Sequence, residues 1–385
     1  MVPDFRNHLP VRIQFGAGAL SQLPELLRGE GCRRVVVIAD PVVLTLDRVS
    51  RAFASLAAEF EVEVLTVPEG EPTLESVDAL GATLRVARAD VVVAIGGGSA
   101  LDSAKGARLL LENPGSIRLY TWPGEPQPVL PPTIPLITIP TTAGTGSEVT
   151  GGVVMTDEDH DAKVAAPSPF NRAQYCLVDP ELTLSLPPSP SLWGGLDALG
   201  QAIGSVVSKA HTPVGDGLGL EAIRLAATAL PRVMAAPSDI DARTDMACAA
   251  LLAGLAMNVS EAGTEHSLAH PLGSIHHLPH GLTVGMMLAE SMEHDIQFEP
   301  ERFERIADAM GAPKDGTTDG TRAIRAVRAL LTSLGCATLA DHGITEAHVE
   351  ALTACALAGW VPVEPGPWTP DDVRAAYLRA LRITR

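Results

Sequence analysis

The sequence predicts an α/β dinucleotide-binding domain with a parallel sheet over residues 1–187, followed by an all-helical domain over residues 188–385. Three observations predict this architecture. Short apolar runs alternate with helix-like stretches in the first half, whereas the second half carries almost no strand pattern. The stretch LPPSPS, residues 186–191, lies between the halves and is typical of a domain boundary. A chain of 385 residues is also too long for one ordinary hydrophobic core.

The first half has the pattern of strands joined by crossover helices. Residues 35–39 are apolar at every position, which is typical of a strand buried on both faces. The order of strand, helix and strand at this spacing predicts a parallel sheet. The predicted strands cover residues 11–16, 35–39, 62–67, 90–95 and 136–139 and a segment ending near 179, with a hairpin at 153–165. Helices are predicted after Ser21, over about 44–60 and 74–89, and from the glycines at 96–98.

The second half has helical periodicity throughout. No period of 20–50 residues repeats, so the chain is not a solenoid. The predicted helices cover residues 192–208, 215–234, 240–258, 281–294, 300–310, 321–334, 346–357 and 370–381.

Charge and composition exclude several classes of protein. The formal net charge is −18, which argues against nucleic acid or an anionic membrane as a partner. The five cysteines are scattered and odd in number, as in a reduced, cytoplasmic protein. The N-terminal residues lack an apolar run after a basic region, so we expect no signal peptide, and no window of about 18 apolar residues predicts a membrane span.

A glycine-rich turn follows the predicted strand at residues 90–95. Gly96, Gly97, Gly98 and Ser99 open a helix that continues through Asp102, and such a turn lets backbone N–H groups approach a pyrophosphate. These five residues are candidate cofactor contacts. The spacing is not GxGxxG, and a plain tight turn is the alternative. Asp40 ends the earlier strand at a place where a carboxylate can bind the ribose hydroxyls of NAD and repel a 2′-phosphate, although an acid there can also be a helix cap.

A second polar loop, PTTAGTGSE, follows the strand at residues 136–139. Its hydroxyls and glycines suit hydrogen bonds to a phosphate or an amide. The candidate cofactor contacts are Thr141, Thr142, Thr145 and Ser147.

Five of the eleven histidines lie between His266 and His280. His266 and His270 are four residues apart, so a helix places them on one face. His280 follows a Leu-Pro break where the backbone can turn back toward the same point. Converging imidazoles predict a metal site, because neutral imidazole binds iron(II) and zinc. Hydrogen-bonded or surface histidines are the alternative for any one of them alone.

Together these residues resemble the iron-containing (group III) alcohol dehydrogenase family over nearly the whole chain. GGGSALDSAK at residues 96–105 looks like the family's pyrophosphate loop, IPTTAGTGSEVT at 139–150 is close to its Thr-rich segment, and the histidine stretch is similar to its HxxxAHxLG…PHG signature. The resemblance implies a dehydroquinate synthase-like fold, NAD as cofactor and a homodimer. It also implies that His266 and His280 bind the metal and that His270 lies near the nicotinamide and substrate.

The chain departs from the family at one metal ligand. The family has an Asp-x-x-x-His pattern on one helix, and here Asp197 matches but Gln201 replaces the histidine. An amide oxygen at this position can reach an ion but is a weaker donor to a transition metal than imidazole. Asp197, His266 and His280 remain as a three-ligand set with an open position, so we expect a weakened site for iron(II) or zinc.

The predicted function is NAD-dependent interconversion of a small alcohol and its aldehyde or ketone. His270, or His277 if the helix extends that far, relays the proton, and Lys163 supplies charge near the substrate unless it is simply solvated. Two alternatives stay open: a metal-independent enzyme of the maleylacetate reductase type, and a non-catalytic protein that binds NAD. A cyclase of the dehydroquinate synthase type shares the fold, but the motifs have the alcohol dehydrogenase form.

Overall fold

The computed structural model describes residues 4–160 and 162–382, which divide into two compact units. Residues 9–186 form the first, called here the α/β unit. Residues 187–382 form the second together with residues 4–8, and this is the helical unit. The division falls where the proline-rich stretch begins.

The α/β unit contains a six-stranded sheet in which all neighbouring strands are parallel, as predicted. Its strands, with those of a separate antiparallel hairpin, are β1 (Arg12–Phe15), β2 (Arg34–Ala39), β3 (Glu61–Thr66), β4 (Val91–Gly96), β5 (Leu136–Pro140), β6 (Val154–Asp157), β7 (Ala162–Ala165) and β8 (Tyr175–Val178). The sheet order is β1-β8-β5-β4-β2-β3, and β6 pairs with β7. The edges are therefore β1 and β3.

Helices cover both faces of this sheet, which explains why β2 is apolar at every position. Val35 and Val37 pack on one face with Phe53, whereas Val36 and Ile38 pack on the other with Leu101. All four valine and isoleucine side chains are buried. The helices are α1 (Leu23–Gly29), α2 (Pro41–Leu44), α3 (Asp47–Ala57), α4 (Leu74–Ala87) and α5 (Gly98–Glu112). The single helix predicted over residues 44–60 is replaced by α2 and α3, because the backbone is extended at Leu46.

The described part of the helical unit has no strand, and its helices follow the predicted periods closely. They are α6 (Pro188–Val207), α7 (Pro213–Ala235), α8 (Ile240–Ser260), α9 (Thr264–His276), α10 (His280–Asp295), α11 (Pro300–Ala309), α12 (Thr321–Ser333), α13 (Val349–Ala358) and α14 (Pro370–Leu381). The predicted all-helical second domain is confirmed.

A hydrophobic core holds α9 and α10 in place. Leu268 and Leu272 of α9 pack with Met287 of α10, Leu352 of α13 and Tyr377 of α14. The buried Tyr377 hydroxyl also donates a hydrogen bond to the Leu268 carbonyl at 2.7 Å. This core fixes the helices that carry the histidines.

Among the described residues, no single helix is long and apolar enough to cross a membrane. The pair α8 and α9 passes that test by length and composition, with a bend of 108° between them.

Candidate active site and metal centre

The predicted cofactor residues lie at the carboxyl ends of β2, β4 and β5. β2 pairs with β3 on one side and β4 on the other, so the direction of winding changes between β2 and β4. Ligands bind at such a switch point in open α/β sheets. Asp40 follows β2. Gly96 is at the end of β4, and a Cβ built on it would lie 3.5 Å from the Cβ of Asp40. The candidate ribose-binding carboxylate is therefore next to the glycine-rich turn.

The N-terminus of α5 is open to an anion. Its N-cap is Gly97, no side chain in the described ranges caps it, and its first turn holds no acidic residue. Gly97, Gly98 and Ser99 are half-buried. A Cβ on Gly98 would lie 2.7 Å from the Cγ2 of Thr145, so the turn packs directly against the threonine loop. Backbone N–H groups and the helix dipole at this point suit a pyrophosphate.

The hydroxyl residues of the threonine loop divide into two groups. Thr142 and Thr145 are half-buried beside the glycines. Thr141 is buried, and its backbone N–H donates to the Gly96 carbonyl at 2.9 Å. Ser147 is also buried, and its hydroxyl donates to Asp102 at 2.5 Å. Thr142 and Thr145 are thus the better placed of the four to contact a cofactor.

Asp102 has both carboxylate oxygens bonded inside the protein. One accepts from Ser147 and from the fully buried Lys105 at 3.0 Å, and the other accepts from the Val154 backbone N–H at 3.0 Å. This geometry ties α5 to the threonine loop and to the hairpin. Asp102 was predicted as a cofactor contact. In the structure its carboxylate hydrogen-bonds the threonine loop and the hairpin, so it holds the loop in place.

Glu148 ends the threonine loop and is only 4% exposed. Burial raises the pKa of Glu148 to about 7, although the nearby Lys105 acts against burial. Its folded pKa lies above the ordinary value of 4.5, so the unfolded chain loses the proton first as the pH rises. This group therefore costs stability increasingly between pH 4.5 and about 7.

We expect Glu148→Gln to remove this pH-dependent cost. The free energy of unfolding of the variant, relative to that of the wild type, should rise by up to about 3 kcal/mol between pH 4.5 and pH 8. Urea denaturation at several pH values measures it, with the exposed Glu75→Gln as the control for loss of one charge. A difference that stays constant with pH would contradict the raised pKa.

The three predicted metal ligands converge within the helical unit. Asp197 lies on α6, His266 on α9, and His280 is the first residue of α10. One donor atom from each lies within 4.8 Å of the others. Asp197 Oδ1 is 3.5 Å from His266 Nε2 and 3.5 Å from His280 Nε2. Asp197 and His266 are buried and His280 is half-buried, so one side of the group faces accessible space.

These donor atoms fit a divalent transition metal. Asp197 Oδ1 and His266 Nε2 are buried, and neither has a hydrogen-bond partner among the described residues. A buried polar atom normally has a partner, so such a pair calls for an explanation such as an ion. Two imidazoles and one carboxylate with an open position are a set that iron(II) and zinc accept.

Electrostatics also favour a cation here. Burial lowers the pKa of His266, but the carboxylates of Asp197 and Glu265 outweigh burial and raise it to about 10. Burial raises the pKa of Asp197, yet His280, His266 and Gln201 together hold it below its usual value. Both shifts mean that this group of side chains favours positive charge, and metal binding competes with protons for His266.

Glycines let the ligand-bearing helices approach closely. A Cβ on Gly281 would lie 2.0 Å from the Trp193 carbonyl and 3.2 Å from the Asp197 Cβ, which brings the start of α10 onto α6. A Cβ on Gly200 would lie 2.5 Å from Val284. Larger residues at either glycine would separate Asp197 from His280.

Gln201 lies one turn beyond Asp197 on α6 and is buried. Its side chain hydrogen-bonds the Asp197 carboxylate, which requires the amide N–H to donate. The residue that departs from the family pattern is thus beside the ligand group.

The predicted proton relays have different surroundings. The His270 ring lies 5.8 Å from that of His280, and His270 is half-buried. His277 was considered as a relay only if the helix extends that far, and α9 ends at His276, with His277 as an exposed C-cap with a φ of 54°. Its left-handed backbone turns it off the face that carries His266 and His270.

Lys163 is not a solvated hairpin residue. It lies on β7 of the α/β unit, its side chain is 11% exposed, and it forms an ion pair with Glu71 and a 3.1 Å hydrogen bond to Thr156. Burial lowers the pKa of Lys163 to about 8.

Sequence reasoning missed Glu265, whose carboxylate is 2.8 Å from His266 Nδ1. An acidic residue in the first turn of a helix is ordinary, so the sequence alone gives it no special signal. The neighbouring histidine was the only cue.

Comparisons with known proteins agree with the sequence motifs. The family model described as iron-containing alcohol dehydrogenase matches residues 10–180, and the C-terminal model of the Fe-containing alcohol dehydrogenase family matches residues 191–381. The long-chain-alcohol dehydrogenase 1 of Geobacillus thermodenitrificans (strain NG80-2) is 35% identical over 373 residues, which are 95% of this chain and 94% of that protein.

Solved structures give the same result. The crystal structure of a 1,3-propanediol oxidoreductase matches with a TM-score of 0.93 and 30% identity, covering 98% of this chain and 100% of that one. The sulfoacetaldehyde reductase from Bifidobacterium kashiwanohense, solved in complex with NAD+, matches with a TM-score of 0.88 and 28% identity over the full length of both chains. The resemblance first carried by three short motifs is confirmed over both units, and the chain belongs to the iron-containing alcohol dehydrogenase family.

Proposed function

We propose that this protein is an NAD-dependent alcohol dehydrogenase that interconverts a small alcohol and its aldehyde or ketone, with a divalent metal held by Asp197, His266 and His280. The convergence of these three donor groups within 4.8 Å carries the proposal. Gln201 is the fourth candidate ligand, through its amide oxygen.

The residues of the helical unit have two roles, which are metal binding and proton transfer. When bound, the metal supplies Lewis-acid chemistry that polarises a carbonyl or stabilises an alkoxide. Asp197, His266 and His280 would hold it, and the half-buried His280 lies on the accessible side of this group. His270, whose ring is next to that of His280, accepts the proton of the alcohol at an imidazole nitrogen and passes it to solvent. NAD bound by the α/β unit would supply the hydride acceptor for oxidation of the alcohol, and NADH the hydride donor for reduction of the carbonyl.

The α/β unit binds the cofactor. The open N-terminus of α5 and the turn from Gly96 to Ser99 take the pyrophosphate, with Thr142 and Thr145 beside it. The NAD+ complex of the sulfoacetaldehyde reductase, which is 28% identical, supports the same cofactor here. Lys163 remains a candidate for a charge contact, now as a buried lysine paired with Glu71.

Metal dependence tests this proposal. The purified protein is assayed for NADH oxidation with a panel of small aldehydes and ketones, before and after a chelator, and its metal content is measured. We expect activity to fall on stripping and to return with iron(II) or zinc. Undiminished turnover in a metal-free sample would favour the reductase of the maleylacetate type, with Gln201 and His270 bonding the substrate directly. Bound NADH without turnover of any carbonyl would indicate a binding protein.

Asp40 gives a prediction about cofactor choice. Its Oδ1 accepts from the Val42 N–H at 2.7 Å and so caps α2, while its charge lies beside the glycine-rich turn. We expect kcat/KM to favour NADH over NADPH by at least about tenfold, or roughly 1.4 kcal/mol, through repulsion of the 2′-phosphate.

The variant Asp40→Ser separates the two roles, because serine is a good N-cap without charge. The preference for NADH should shrink in this variant while its melting temperature stays near that of the wild type. An unchanged preference would mean that Asp40 is a cap alone.

A homodimer through the α/β unit is part of the same proposal. β1 is an edge strand, and its outer side pairs with no strand in the described ranges, which suits association between copies. Light scattering at micromolar concentration tests it, and a monomeric mass would contradict it.

A further inference from the structure

Glu265 is a carboxylate buried in the helical unit beside a metal ligand. It is the second residue of α9 and is 2% exposed. Its Oε1 accepts a hydrogen bond from the Gly263 backbone N–H at 3.2 Å and lies 2.8 Å from His266 Nδ1. Burying a carboxylate lowers the folding stability unless it is paired, so its contacts with Gly263 and His266 stabilise it in this position.

Three glycines form the space that this side chain fills. A Cβ on Gly204 of α6 would lie 2.6 Å from Glu265 Oε1, and a Cβ on Gly263 would lie 2.2 Å from its Oε2. A Cβ on Gly200 would lie 3.6 Å from the Glu265 Cγ. The carboxylate is therefore held between α6 and the first turn of α9, with little freedom to leave His266.

The contact settles which nitrogen of His266 faces the metal position. A carboxylate accepts but does not donate, so the Nδ1 of His266 must carry the proton that bonds Glu265. Neutral His266 then has its lone pair on Nε2, the atom 3.5 Å from Asp197 Oδ1. A carboxylate behind a metal-binding histidine orients the ring and makes it a stronger donor.

We infer that Glu265 is a positioning residue of the metal site, which acts through His266 and offsets the weaker donor at Gln201. This rests on the proposed function, because it assumes that Asp197, His266 and His280 bind a metal. With Asp197, Glu265 also supplies the second negative charge around a divalent ion. The glutamate thus adds donor strength through an existing ligand where the family's fourth imidazole is missing.

Two variants and one matched control test the inference. Glu265→Gln keeps a hydrogen-bond acceptor for His266 but removes the charge, and Glu265→Met removes both at similar length. Glu290→Gln is the control, since Glu290 is a buried glutamate of α10 that pairs with Arg328 and Arg379 at 2.9 Å. It changes a buried charge in the same unit outside the ligand group.

The affinity for Zn²⁺ is measured by competition with a chromophoric chelator, and the absorption spectrum of the Co²⁺-substituted protein reports on ligand geometry. We expect about tenfold weaker Zn²⁺ binding for Glu265→Gln, about a hundredfold weaker binding for Glu265→Met, and an altered Co²⁺ spectrum in both. Glu290→Gln should lower the melting temperature and leave affinity and spectrum unchanged.

The inference and the proposed function fail in different ways. Wild-type affinity and spectrum in Glu265→Gln, with Zn²⁺ bound by the wild type and lost in His280→Ala, would overturn the role of Glu265 alone. A wild type that binds neither ion would overturn both. Should Glu265→Met fail to fold, the Gln variant decides, because amide for carboxylate preserves the side-chain shape. If Glu290→Gln lost as much Zn²⁺ affinity as Glu265→Gln, the loss would come from general destabilisation, and the inference about Glu265 would be overturned.

Discussion

The variant His280→Ala is expected to lose its bound metal and to lower kcat/KM by at least about a thousandfold. Lewis-acid stabilisation of an alkoxide contributes several kcal/mol, and each 1.36 kcal/mol is a factor of ten in rate. His280 is the half-buried member of the group, so its removal opens the site to water while the fold core stays intact. Metal analysis and steady-state kinetics on the same preparation measure both effects.

The exposed His342→Ala is the control for loss of a histidine in the same unit, and it should keep metal and activity. The expectation fails if His280→Ala retains wild-type turnover. In that case the dehydrogenase assignment would stand, but the chemistry would run without this metal site.

The second large effect is expected from Gln201→His, which should tighten metal binding by about one to two decades. Imidazole is a stronger donor to iron(II) and zinc than an amide oxygen, and position 201 lies one turn beyond Asp197 on α6. A metal-bound imidazole is neutral, as the amide is, so the substitution does not change the charge of the site. Competition with a chelator gives the dissociation constant.

A matched variant, Gln201→Leu, shows whether the amide contributes at all. Affinity should fall modestly in Gln201→Leu and rise in Gln201→His. If Gln201 instead bonds the substrate in a metal-free enzyme, the histidine variant loses rate and gains nothing from added ions.

Most of the fold could be predicted because local patterns determine it. The unbroken apolar run of β2 and the turn at Gly96 indicated a doubly covered parallel sheet, and periodicity located the helices of the second unit. The place of β1 could not be predicted, because it pairs with β8, with Arg12 opposite Tyr175 and 163 residues apart. Such pairing depends on packing over the whole sheet and leaves no local trace.

The site residues that belong to a sequence motif could be predicted. Those whose role depends on burial in the folded protein could not. Residue spacing indicated that His266, His270 and His280 converge, whereas the choice of His266 and His280 as ligands, with Asp197, came from the family resemblance. Glu265 escaped notice because its role depends on the empty space at Gly204, a residue 61 positions earlier on another helix. The low exposure of Lys163 could not be predicted for the same reason, since burial of a lysine depends on its neighbours rather than on its own sequence context.

The three donor groups come from three separate helices, α6, α9 and α10. An ion bound there would connect these helices as a cross-link does, and it would be absent from the unfolded chain. By mass action, free metal at a hundred times its dissociation constant adds about 2.7 kcal/mol to the stability of the folded protein. The supply of metal in the cell would therefore govern how long each enzyme molecule survives proteolysis as well as how fast it works.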